Sequence, residues 1–170
     1  MFTKTNLTNP AITGFQVAPG IAAVGNQQGK VAFSESYQDD QSHIVESGGI
    51  NVDMGTIDAF NIQHVDLLKV DVEGFEKFVF EGAIKTLSNT DCVLFESYEK
   101  QYNSHGYSLN DIRNFLLTKE HRVYRFCPIK KEIYSIKQDY VSEKCENLVA
   151  IKSIDQFCKR SKYKFLDIQL

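Results

Sequence analysis

One stretch limits the folds open to this chain: "DLLKVDVEGFEKFVFEGAIKTLSNTDCVLFES", residues 66–97. Its first seven residues read as a strand with an apolar face. Phe75, Phe78, Val79, Ala83 and Leu87 then recur at helical spacing. "DCVLFES" follows a polar turn as a second apolar strand. Strand, helix and strand in that span suit a parallel crossover unit, which needs a helix-length connection between its strands.

The rest of the chain extends this α/β pattern. "GFQVAPGIAAV" and "KVAFSES", joined by the Gly-containing "GNQQG", predict a hairpin-like return. "YQDDQSHIVESGG" is polar and Gly-rich, hence a loop. Ser108 opens a helix over "SLNDIRNFLLTKE" as its cap. "HRVYRFCPI", "EIYSI" and "ENLVAIKS" are rich in β-branched and aromatic residues and predict closing strands. The sheet is therefore expected to carry an antiparallel C-terminal edge. One domain over residues 10–152, followed by a basic tail or short helix over 153–170, is the expected organisation.

Composition bounds the partners. The 170 residues have 42% hydrophobic content, enough for a single core, and a net charge of −3. That average gives no electrostatic ground for binding nucleic acid or an anionic membrane. The N-terminus shows no apolar stretch of signal-peptide length and no run approaches a membrane span, so a soluble, cytoplasmic protein is expected. Cys92, Cys127, Cys145 and Cys158 are widely separated, and His64, His105 and His121 share no ligand spacing. Reduced thiols and no metal site are expected.

The central strand poses the functional question. Side chains alternate along a strand, so Leu68, Val70 and Val72 face one way while Lys69, Asp71 and Glu73 face the other. One reading makes this an edge strand with solvated charges and a Lys69–Asp71 ion pair. The other places the charges toward the C-terminal end of the strand, at the crevice where open α/β sheets bind ligands. Gly74 then permits a sharp turn into the helix. The alternation alone supports both.

"TIDAF", "DLLKVDVEGFEKFVFEGA" and "CVLFE" together resemble the FkbM family of S-adenosyl-L-methionine-dependent methyltransferases. The family's core motif reads K-I-D-V-E-G-x-E followed by L-x-G-A. Lys69, Asp71, Glu73, Gly74, Glu76, Gly82 and Ala83 fall on that motif. Weaker flanking matches extend the resemblance from about Phe15 to Ile151: "APGIAAVGNQQGKVAF", "QSH" and "ENLVAI". The resemblance implies a Rossmann-like class I methyltransferase sheet, S-adenosyl-L-methionine as cofactor, and a hydroxyl of a sugar or other small molecule as acceptor. Asp71 and Glu73 are the implied groups for the polar chemistry, with Lys69 as charge partner. Ser42 and His43 are implied at the cofactor and Glu96 at the substrate.

The sequence departs from the family in one respect. The D-x-G-A-N-x-G-like loop after the first strand and the acidic residue after the second find no counterpart upstream of Phe15. Glycines 20, 25 and 29 do not replace them, because their spacing fits neither a P-loop nor a dinucleotide fingerprint. The expected sheet is thus incomplete. Its alternatives are a truncated or degenerate non-catalytic methyltransferase-like fragment, or part of a split enzyme whose second chain completes the sheet.

Overall fold

A computed structural model describes residues 22–33, 44–45 and 50–168. They form two sheets. The smaller has the order β1-β4-β2-β3, built from β1 (Ala22–Val24), β2 (Gly29–Phe33), β3 (Ile44–Val45) and β4 (Ile50–Gly55). The expected return between β1 and β2 is not a hairpin. β4 lies between them, parallel to β1 and antiparallel to β2. A strand with two free edges can accept both neighbours, and Gly25 N–H donates to Gly55 O at 2.9 Å to continue the β1–β4 pairing.

The larger sheet contains the crossover unit. β5 (Val65–Val70) leads through α1 (Glu76–Glu81) and α2 (Ile84–Ser88) to β6 (Thr90–Ser97), which pairs parallel to β5. The single amphipathic helix expected after β5 is broken at Gly82 and Ala83. Gly82 packs so closely on Gly25 that an added Cβ would stand 1.9 Å from the Gly25 carbonyl oxygen. This close approach docks the small sheet against the end of α1. Asn26 Nδ2 adds a hydrogen bond to Glu81 Oε2 at 3.1 Å.

After β6 come α3 (Glu99–Ser104), α4 (Leu109–Leu117), β7 (Arg122–Cys127), β8 (Glu132–Ser135), β9 (Glu146–Ile151), α5 (Ile154–Ser161) and β10 (Lys164–Leu166). Ser108 caps α4 as its sequence position suggests, in a reciprocal capping box with Asp111. The sheet order is β10-β8-β7-β9-β6-β5. β9 runs antiparallel between β6 and β7, and β7 is antiparallel to β8, whereas the outermost pair, β8 and β10, is parallel. The antiparallel part of the C-terminal half therefore lies inside the sheet. The C-terminal residues form both a helix and an added strand.

Two cores flank this sheet. On one face Val70, Val79, Phe80, Val93, Phe95, Leu116 and Leu148 pack beneath α1, α2 and α4, with Leu68 and Val72 against them. On the other, Cys92, Tyr124, Ile133, Val149 and Ile151 are covered by Ile154, Phe157 and Tyr163. Arg160 ties α5 to β5 and β6 through Asp66 at 2.5 Å and Asp91 at 2.9 Å. Leu67 remains 55% exposed, so this second cover stops short of β5. Among the described residues β5 is an edge, and no helix is long and apolar enough to cross a membrane.

Candidate functional site

The carboxylates cluster because two parallel strands end side by side. β5 delivers Asp71 just past Val70, and Val70 is in register with Phe95 of β6, the neighbour of Glu96. A tight turn brings Glu73 to the same place. Phe75 N–H donates to Val72 O at 3.2 Å, with φ of 54° at Glu73 and 95° at Gly74. Two successive positive φ angles mark a type I′ turn, which glycine adopts readily and glutamate at a cost of about 1 kcal/mol.

Glu73 is held in that conformation from another element. Gln101 of α3 donates from Nε2 to Glu73 Oε2 at 2.7 Å. The Gln101 Cβ also lies so near the turn that a Cβ at Gly74 would come within 2.8 Å of it. Tyr107 O–H donates to Gly74 O at 2.5 Å, fixing the turn from beneath. These contacts set the aim of Glu73.

Asp71, Glu73 and Glu96 each offer a carboxylate oxygen within 4.8 Å of the others. Lys69 Nζ bonds Asp71 Oδ2 at 2.7 Å, with both side chains substantially exposed. This hydrogen bond raises the Lys69 pKa and keeps the ammonium charged. Cys145, immediately before β9, donates its thiol to Glu96 Oε1 at 2.9 Å. That bond, before burial and the Glu96 charge, pushes the Cys145 thiol up to about 12. Cys145 is therefore a neutral donor at physiological pH, not a nucleophile.

Glu76 lies below this surface group and is only 1% exposed. Val72 N–H donates to its Oε1 at 3.1 Å, while Oε2 has no hydrogen-bond partner among the described residues. Burial, the leading cause, pushes its pKa up to about 7, and the Glu96 charge adds to the rise. A glutamate in the first turn of a helix can favour the helix dipole as a charge, but Glu76 is a buried carboxyl able to hold a proton near neutral pH.

The structure thus brings Lys69, Asp71, Glu73 and Glu96 together. Ser42 and His43 lie outside the described residues. Among the described residues β5 is an edge bearing an exposed Lys69–Asp71 ion pair, and its C-terminal end joins a three-carboxylate group. Gln101 and Cys145 were not legible as site residues, since neither shares a strand or motif with the carboxylates. Two surface hollows lie elsewhere. One is lined by Glu99, Ser108 and Tyr140, and the other by Asp66, Cys92, Phe157 and Arg160. The second includes two members of another convergent group, His64, Asp66 and Asp91, where Arg160 already supplies the opposing charge.

The carboxylate group can orient cationic or hydroxyl-bearing ligands, and a free carboxylate oxygen can accept a hydroxyl proton. A family model for the methyltransferase FkbM domain matches residues 12–126. No curated protein and no solved structure matches the chain.

Proposed function

Since this chain belongs to the FkbM methyltransferase family, we propose that its carboxylate group serves S-adenosyl-L-methionine-dependent methylation of a hydroxyl on a sugar or other small molecule. The observation carrying this reading is the convergence of Asp71, Glu73 and Glu96 within 4.8 Å at the C-terminal ends of adjacent parallel strands. Such ends are the usual ligand positions of Rossmann-like sheets. The parallel β5–β6 crossover supports that fold reading.

The chemistry of the donor set fits the cofactor. Carboxylates suit its sulfonium and ammonium charges and can accept hydrogen bonds from ribose hydroxyls. When bound, S-adenosyl-L-methionine supplies an electrophilic methyl group. Asp71 is the residue assigned to hold the cationic cofactor. Glu73, with Oε2 engaged by Gln101, presents its remaining oxygen to accept the acceptor's hydroxyl proton. Glu96 orients the acceptor. Lys69 limits the motion of Asp71 through their ion pair. Ser42 and His43 remain assigned to the cofactor by family position.

Calorimetric titration with S-adenosyl-L-methionine tests this reading. Saturable binding is expected, weakened at least about tenfold by Asp71→Asn, a loss of about 1.4 kcal/mol. Absence of binding at millimolar cofactor contradicts autonomous cofactor use.

The position of β5 as an edge among the described residues and the exposure of Leu67 favour a second reading, in which another chain completes the sheet and the pocket. Binding that appears only after a strand-donating polypeptide is added distinguishes it. A non-catalytic methyltransferase-like fragment would keep the fold without turnover in either arrangement.

A further inference from the structure

The net charge of −3 conceals an uneven distribution. Residues 119–131 and 152–164 carry ten of the nineteen basic residues but only two of the twenty-two acidic ones. Part of this charge meets its partner within the fold, as Arg125 does at Glu146 and Arg160 at Asp66 and Asp91. Most of the lysines in these segments do not, and four of them lie near one another. Lys130, Lys131, Lys162 and Lys164 are exposed, and none has an ion pair among the described residues.

The strand register gathers these lysines at one end of the sheet. Lys130 and Lys131 lie in the turn between β7 and β8. Lys164 is in register with Glu132 at the foot of that turn, and its N–H donates to Lys131 O at 2.8 Å. Lys162 lies two residues before Lys164. Ile129 projects from the same turn and is 95% exposed, the most exposed large apolar side chain described. Residues 156–166 contain no acid. The carboxyl of Glu132 accepts the Tyr134 hydroxyl.

We propose that the β7–β8 turn, with the start of β10, is a docking surface for an anionic lipid bilayer, entered by Ile129 and gripped by the four lysines. An exposed isoleucine flanked by lysines finds no apolar interior along a nucleic-acid backbone. At a bilayer its side chain enters the acyl boundary while flanking lysines reach anionic headgroups. β7 is antiparallel to β9, as β6 is, so this turn and Glu96 lie at the same end of the sheet. The two strand steps between β6 and β7 span roughly 10 Å. A docked molecule would therefore hold its carboxylate group near the bilayer surface. Docking itself stands independently of methyl transfer, since vesicle binding and cofactor binding are read separately.

Co-sedimentation of the full chain with phosphatidylcholine vesicles, with and without about 30% phosphatidylglycerol, tests the proposal. Binding is expected only to the anionic vesicles at about 0.1 M salt and is lost near 0.5 M. The double variant Lys130→Glu/Lys131→Glu should lower partitioning more than about tenfold, and Ile129→Ser about fivefold, with unchanged far-ultraviolet circular dichroism. Lys85→Glu, on α2 at a distant surface, should retain binding. No binding to anionic vesicles, equal binding to neutral ones, indifference to both turn variants, or stronger binding to duplex DNA than to vesicles would overturn the proposal.

Discussion

Gly82→Ala is expected to destabilise the protein by about 3 kcal/mol or more, the upper range for overpacking. The added Cβ would lie 1.9 Å from Gly25 O and 2.9 Å from Gly25 C. These are backbone atoms, and Gly25 is held by its bond to Gly55 at 2.9 Å, so relief requires the small sheet to move off α1. Gly82 itself has φ of −83°, which alanine tolerates. The cost is therefore steric contact rather than backbone strain. For a chain of this size a melting temperature lower by roughly 6–12 °C follows. Gly29→Ala is the control, because a Cβ there meets nothing within 4 Å. Equal melting of the two variants would mean that the small sheet does not seat on α1 in solution.

The second large effect is a dependence of stability on pH through Glu76. Its folded pKa is raised to about 7 from an ordinary 4.5, chiefly by burial. Below the ordinary value the carboxyl is protonated in both folded and unfolded chains and makes no difference. As pH rises from 4.5 toward 7, the unfolded chain releases this proton while the folded chain retains it, so stability falls. Above about 7 the full loss is present, about 3 kcal/mol for a shift of this size. Urea unfolding midpoints measured between those pH values should decline in the wild type. Glu76→Gln should flatten this part of the profile, since an amide has no proton to lose there. Parallel slopes in the two proteins would contradict a protonated, buried Glu76.

What was legible in the sequence was local. The alternation of Leu68, Val70 and Val72 with Lys69, Asp71 and Glu73 has a period of two, and a strand turns that period directly into two faces. Ser108 and Asp111 stand at capping-box spacing, so the start of α4 was readable as well. The break between α1 and α2 was not readable, because it depends on Gly25 meeting Gly82, which lies 57 residues away in sequence. The insertion of β4 between β1 and β2 and the parallel addition of β10 likewise depend on tertiary pairing, which short-range periodicity does not encode.

The site divides in the same way. Lys69, Asp71, Glu73 and Glu96 could be singled out as candidates because they lie on one motif and the next strand end. Gln101 and Cys145 come from separate elements and meet the carboxylates only through the strand register and the loop before β9. In the sequence Glu76 stands out only as a motif position at the start of a helical pattern. Its burial and orphan oxygen required the packing around it.

The central claim is that S-adenosyl-L-methionine is met at the ends of β5 and β6. The most direct test is two-dimensional amide NMR of the ¹⁵N-labelled chain during titration with S-adenosyl-L-methionine. The account predicts saturable shifts concentrated at Asp71, Glu73, Gly74, Glu96 and Gln101, with the α5 hollow unaffected. Shifts centred on Asp66, Asp91 and Arg160, or no saturable shifts at millimolar cofactor, would contradict it.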